Sequence, residues 1–189
     1  MIRQEDEHNR NDNLPLRDTD LVLSDGKWSE TISWSFIASC ELPSVDFCTA
    51  VCCVVTFRGK LILVKNKRGW ELPAGKKELN EMPNEAAIRE VFEESRAVIT
   101  HPQIFGYKRL TAREPVPKID NPTLFYPFPH SYVAFFCADA DSFMPGSPEK
   151  DIKETRLVNY EEALVLLKEG AQYTGVLEFL RANKLISVE

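Results

Sequence analysis

The stretch GKKELNEMPNEAAIREVFEESRA, residues 75–97, decides how the chain is read. Pro83 suits a first helical turn, and Ala86, Ala87, Ile88, Val91 and Phe92 recur at helical spacing, so residues 84–96 are predicted to be a helix. Glu90, Glu93 and Glu94 stand at i, i+3 and i+4 and therefore project from one helical face, within reach of each other. Three like charges so placed repel unless something positive sits among them. A hard divalent cation is the candidate: magnesium prefers carboxylate oxygens and completes its shell with water and substrate phosphates. Such an ion lowers the pKa of a water that can attack phosphorus. Arg89 faces Glu85 and Glu93 one turn away on either side and can hold a carboxylate rotamer in place. Gly75 lets the loop backbone approach closely where a Cβ would hinder it. Three glutamates on a helix are by themselves usually a solvated face, and the glycine loop at fixed spacing upstream is what turns them into a candidate site.

Working outward, TAVCCVVTF (residues 49–57) is apolar and β-branched, and Arg58-Gly59-Lys60 turns it back into Leu61 to Val64, a predicted central hairpin. Strands are expected over Val98 to Lys108 and Ser131 to Ala138, and helices over Tyr160 to Lys168 and Val176 to Asn183. On the N-terminal side, Asp25-Gly26 lies between Leu21-Val22-Leu23 and Trp28, a hairpin signal that makes residues 21–48 a β extension. That extension suits either edge packing or homodimerisation. Residues 1–20 are polar without periodicity and are expected to be a mobile terminus. Residues 111–130 carry Pro115, Pro117, Pro122, Pro127 and Pro129, and the segment is long enough for a lid or specificity loop.

A 189-residue chain with 43% hydrophobic and 28% charged residues can bury one sizeable core. Its net charge of -6 disfavours nonspecific binding to nucleic acid or anionic membrane. No apolar run reaches the ~20 residues that span a bilayer, and the opening is too charged for a secretory segment, so the expectation is a cytoplasmic protein. Cys48, Cys52, Cys53 and Cys137 sit inside apolar runs rather than at zinc spacings, which reads as reduced core thiols.

Residues 75–97 resemble the Nudix box, G-x5-E-x7-R-E-U-x-E-E-x-G-U with U aliphatic, through Gly75, Glu81, Arg89, Glu90, Val91, Glu93, Glu94 and Ala97. The resemblance implies an α/β fold, the family's α/β/α sandwich with a mixed β-sheet, over residues 49–189. It implies metal-dependent hydrolysis of a phosphoanhydride bond in a nucleoside diphosphate derivative, with Mg2+ or Mn2+ as cofactor. Glu90, Glu93, Glu94 and the carbonyl of Ala74 become metal ligands, one glutamate doubling as the base. Arg89 and Glu81 become organisers of the site, and Ala86, Ala87 and Val91 pack the helix on the sheet. The family also places a carboxylate on a late loop, for which Glu154 and Asp151 are candidates. One position departs: Arg96 stands where the box has glycine, a position that ends the helix in a left-handed conformation. Around the box, Tyr107, Lys108, Arg109 and Arg113 are candidate phosphate contacts, and Phe125, Tyr126, Phe128 and Tyr132 are candidates for stacking on a base. The first substrate expectation is a nucleoside triphosphate, including oxidised ones, cleaved to the monophosphate. ADP-ribose or a nucleotide sugar follows, and a non-catalytic nucleotide-binding regulator or an isoprenoid diphosphate isomerase on the same fold are the readings from other classes.

Overall fold

A computed structural model describes residues 21–27, 29–115, 127–148, 151–167 and 173–188. The expected mobile terminus and the centre of the proline-rich loop, residues 116–126, lie outside them. The elements run β1 (Leu21–Lys27), β2 (Ile32–Ala38), β3 (Cys48–Phe57), β4 (Lys60–Asn66), β5 (Gly69–Glu71), β6 (Ala74–Lys76), α1 (Pro83–Ser95) and β7 (Ala97–Val98). They continue with β8 (Gln103–Ala112), β9 (His130–Asp139), β10 (Ser142–Phe143), β11 (Glu154–Val158), α2 (Tyr160–Leu166) and α3 (Thr174–Ala182).

The unbroken apolar run of β3 is explained by burial on both faces. Val51, Cys53 and Val55 pack with Ala86, Ala87 and Val91 of α1, while Cys52 and Val54 join Tyr160, Ala163, Leu177 and Leu180 of α2 and α3. The result is an α/β/α sandwich. Among the described residues the main sheet has the order β1-β2-β8-β9-β3-β4-β11, with β5 on β4 and β6 on β3. It is mixed: β3 and β9 pair in parallel, and the neighbouring pairs are antiparallel. β10 and β7 form a separate two-stranded piece.

Two local readings are revised. Arg58 and Gly59, with φ of 51° and 74°, make the tight turn between β3 and β4, as a two-residue hairpin requires. Asp25-Gly26 makes no turn: both residues pair within β1, opposite Ser35 and Trp34. Glycine is needed at position 26 because a Cβ there would stand 2.8 Å from the Trp34 indole. The single strand expected from Val98 to Lys108 is broken into β7 and β8. Pro102, which has no N–H to give to a ladder, lies in the break.

What positions the site is a fork in the sheet. β3 pairs with β4 through Thr56 and Phe57, then with β6 through Ala50, Val51 and Cys52. α1 lies against this fork, and Ala86, Ala87 and Val91 are fully buried there.

Candidate active site

The glycine loop is fixed from both ends. The Cys53 N–H donates to the Pro73 carbonyl at 2.8 Å, and the Lys77 N–H to the Thr49 carbonyl at 3.0 Å. Between them β6 runs along β3, and the chain then turns into α1, whose start is set by Pro83 and by a 2.9 Å bond from the Met82 N–H to the Glu85 carboxylate. Glu85 therefore caps the helix, and the Arg89 bonds go elsewhere.

Arg89 is the hub. Its Nε donates to Glu81 at 2.8 Å and its Nη2 to the second Glu81 oxygen at 3.0 Å. Nη1 reaches Glu90 at 2.9 Å and Glu93 at 3.0 Å, and Nη2 also reaches the Lys76 carbonyl at 2.9 Å. One guanidinium thus serves three carboxylates and the loop backbone, a task for which a planar five-donor group is suited and an ammonium is not. These bonds hold the Glu81 carboxyl below its usual range and raise the Arg89 pKa further. Gly75 passes so close to Glu90 that a Cβ would fall inside its carboxylate. The close approach expected of this glycine is therefore first of all an approach to Glu90.

Glu94 stands apart from Arg89. Its carboxylate accepts from the Ala74 N–H at 2.9 Å, which brings it to β6. Burial pushes its pKa up to about 7, aided by Glu90 and Glu71 and opposed by the Ala74 N–H and Arg68. Glu71 is the member of this group that the sequence reading missed. It is held by Asn66 at 2.6 Å and by Arg68 at 2.7 and 3.0 Å. It reaches the site because β5 folds back on β4, and nothing in the box spacing signals it.

The structure thus brings Ala74, Glu81, Arg89, Glu90, Glu93 and Glu94 together. Glu154 begins β11, beside Thr155, whose hydroxyl donates to the Glu94 carbonyl at 3.4 Å; the Glu154 carboxylate is bonded to Arg156 at 2.7 Å, and the residue lines a cavity of about 530 Å³ with Ser95, Arg96, Phe143 and Met144. Asp151 is exposed. Tyr107 and Tyr132 pack edge to face, 5.5 Å apart, in a small core with Ile37 and are not open to a base. Phe125 and Tyr126 lie outside the described residues, and Phe128 is exposed. Arg96 takes the left-handed conformation of the box glycine, with φ 61° and ψ 10°. Its guanidinium lies 4.0 Å from the Phe92 ring centroid and donates to the Pro145 carbonyl at 3.2 Å, contacts that offset a strain of roughly 1 kcal/mol.

Among the described residues no three carboxylates, imidazoles or thiols converge on one point at coordination distance. Glu90 and Glu93 are turned to Arg89, and Glu94 to Ala74. The donor set nonetheless fits a hard divalent ion. It is all oxygen and it is crowded, and at Glu94 burial first, then the neighbouring Glu90 and Glu71, oppose ionisation, which an added cation would favour.

Fold and site together define an α/β sandwich hydrolase whose acidic helix meets a glycine loop. The family model described as NUDIX domain matches residues 46–178. The chain belongs to the Nudix family of hydrolases. Among solved structures, it is similar to a point mutant of the Bacillus subtilis pyrophosphohydrolase BsRppH, with a TM-score of 0.53 and 19% identity over 80% of this chain and 98% of that one. A NUDIX hydrolase from Nitrosomonas europaea gives 0.49 and 22%, covering 64% of this chain and 77% of that one. A C. elegans Ap4A hydrolase gives 0.47 and 16%, covering 72% and 99%. Comparison with curated proteins finds no match. No described helix is long and apolar enough to cross a membrane.

Proposed function

We propose that the chain hydrolyses a phosphoanhydride bond in a nucleoside diphosphate derivative, with Mg2+ or Mn2+ held by Glu90, Glu93, Glu94 and the Ala74 carbonyl. The observation that carries this reading is the meeting of Glu94 with β6, where a half-buried carboxylate accepts from the Ala74 N–H within electrostatic reach of Glu90 and Glu71. When bound, the cation offsets phosphate charge and acidifies a water for attack on phosphorus. The protein's own residues do the rest. Arg89 orients Glu90 and Glu93, the Ala74 N–H orients Glu94, and one of the three glutamates takes the proton of the attacking water. Glu154 enters as the later carboxylate that assists from β11.

The substrate we favour is a nucleoside triphosphate, including oxidised forms, with ADP-ribose or a nucleotide sugar next. The isomerase reading needs a reactive thiol. Burial instead pushes Cys52 up to about 12 and Cys137 to about 11, and Cys53 is fully buried, so none of these thiols ionises at neutral pH. The test is product release from a panel of nucleoside triphosphates, ADP-ribose, nucleotide sugars and dinucleotide polyphosphates, with magnesium or manganese. Turnover that disappears with EDTA and with Glu93→Gln supports hydrolysis. Absence of turnover by folded, metal-loaded protein, with nucleotide still bound, supports the regulator.

A further inference from the structure

Arg96, the departure from the box, borders the cavity of about 530 Å³ at the C-terminal end of α1, a volume within the range that small-molecule sites occupy. Its other walls come from β10, the segment after it and β11, and none of Ala74, Glu90, Glu93 and Glu94 lines it. Strand alternation explains the apolar side. Leu157 of β11 stands opposite Ile62 of β4, which is fully buried with the apolar residues of α1. β11 is the edge of the sheet among the described residues, and there Leu157 remains 39% exposed. Phe143 and Met144 face the same cavity and are 37% and 50% exposed. Three large apolar side chains grouped in this way gain free energy when something covers them.

The polar side is basic. Arg96 and Lys153 border the cavity, and the acidic residue on it, Glu154, is already bonded by Arg156 at 2.7 Å. Arg96 is held in place from several directions. Its guanidinium lies 4.0 Å from the Phe92 ring centroid, Nη2 donates to the Pro145 carbonyl, and Gly146 comes so near that a Cβ there would stand 3.5 Å from Nε. Nε is buried without a hydrogen-bond partner, so one donor of the guanidinium is unmet within the chain. An arginine at this place also answers the helix dipole. That role alone does not call for a left-handed residue, since a lysine within the last turn, which α1 lacks, would serve it without strain.

We propose that this cavity is a second binding site, for a small amphipathic anion: a flat apolar body against Phe143, Met144 and Leu157, with a carboxylate, sulfonate or phosphate held by Arg96. The site needs no metal, goes beyond the hydrolytic reading and stands independently of it. Its wall includes Ser95, the residue after Glu94 on α1, and Thr155, whose hydroxyl donates to the Glu94 carbonyl at 3.4 Å, a place suited to an effector of the glutamate cluster.

The probe is anilinonaphthalenesulfonate, an aromatic anion whose fluorescence rises in an apolar site, titrated into the full chain. Phenylnaphthylamine, the same body without the sulfonate, is the uncharged control. The variants are Arg96→Gly, which restores the residue of the box, Arg96→Lys and Met144→Glu, with melting curves to show that each is folded. The expected result is saturable binding of the sulfonate at one site per chain, weakened roughly tenfold or more by Arg96→Gly and by Met144→Glu and less by Arg96→Lys. Binding of the uncharged control should change less than about threefold with Arg96→Gly, and inorganic pyrophosphate with magnesium should not displace the sulfonate. Equal affinity in wild type and Arg96→Gly, or no saturable binding to wild type, would overturn the proposal and leave Arg96 as a cap on the helix. Displacement by pyrophosphate with magnesium would overturn it too, by placing the anion at the glutamates. None of these readouts depends on turnover, so the hydrolase reading can fail without deciding this one.

Discussion

Replacing Glu94 with glutamine should stabilise the metal-free protein at alkaline pH while abolishing turnover. In the folded chain its carboxyl titrates at about 7, because burial, Glu90 and Glu71 outweigh the Ala74 N–H and Arg68. In the unfolded chain it titrates near the ordinary ~4.3. Between those values the native state holds a proton that the unfolded state has released, so stability falls as pH rises through this window and stays low above it. The full difference corresponds to roughly 3–4 kcal/mol. Solvent contact at this half-buried group reduces that to about 1–2 kcal/mol. Glutamine keeps an oxygen to accept the 2.9 Å bond from Ala74 and carries no charge at any pH. In EDTA at pH 8, Glu94→Gln should therefore melt roughly 3–6 °C above wild type, and the two should converge as pH falls toward 4. Magnesium should raise wild type and narrow the gap, since a bound cation offsets the same charge. Thermal or urea denaturation from pH 4.5 to 8.5, with EDTA or magnesium, measures this. A glutamine variant less stable than wild type at pH 8 in EDTA, or a difference independent of pH, would refute the electrostatic account of Glu94.

Arg89→Met leaves Glu81, Glu90 and Glu93 crowded without their cation and should cost about 2–4 kcal/mol in urea unfolding, with kcat/KM falling roughly a hundredfold or more; Arg89→Lys should recover only a minor part. Because Glu81 is held below its usual range by Arg89, wild type should lose stability as pH falls through the acid range, and Arg89→Met should show little of that loss. At the helix end, Arg96→Ala keeps a side chain in the left-handed conformation and loses the contacts to Phe92 and Pro145, for a cost of about 1–2 kcal/mol. Arg96→Gly relieves the strain as it loses the contacts, and should stay within about 1 kcal/mol of wild type. Finally, Gly75→Ala should displace the Glu90 carboxylate and lower kcat while the melting temperature moves by only a few degrees, which paired kinetics and melting curves would check.

The parts of the site legible in the sequence are those set by distance along one helix. Glu90, Glu93 and Glu94 lie at fixed covalent spacing, and any helix over residues 83–95 brings them to one side. Helix spacing alone gave Arg89 the wrong partner on its N-terminal side, because Glu85 finds the Met82 N–H closer and the loop folds Glu81 back in its place. What sequence could not supply was strand register. Tyr107, Lys108 and Arg109 are consecutive and read as one basic and aromatic group, yet alternation in β8 sends Tyr107 to the small core with Tyr132 and Lys108 to the opposite face. Which residue goes to which face depends on pairing with β2 and β9, strands that lie far from β8 along the chain. Glu71 was hidden for the same reason, since it joins Glu94 through the fold-back of β5 onto β4.

These placements divide the charge of the site in two. Arg89 bonds Glu81, Glu90 and Glu93, so that half carries its own counter-ion and keeps the helix and loop in register. Among the described residues Glu94 receives only a neutral N–H, and Arg68, the cation nearest in effect, is bonded to Glu71. Glu94 is therefore the one of these three helix glutamates that the guanidinium does not bond, and it lies beside the glycine loop. Glu90, Glu93 and Glu94 would hold a divalent ion, which would supply positive charge at the glutamate Arg89 leaves unserved, while the guanidinium has Glu81 and the Lys76 carbonyl as further partners. On this account Arg89 and a cation would divide the three helix glutamates between them, Glu94 being the one that the arginine does not bond.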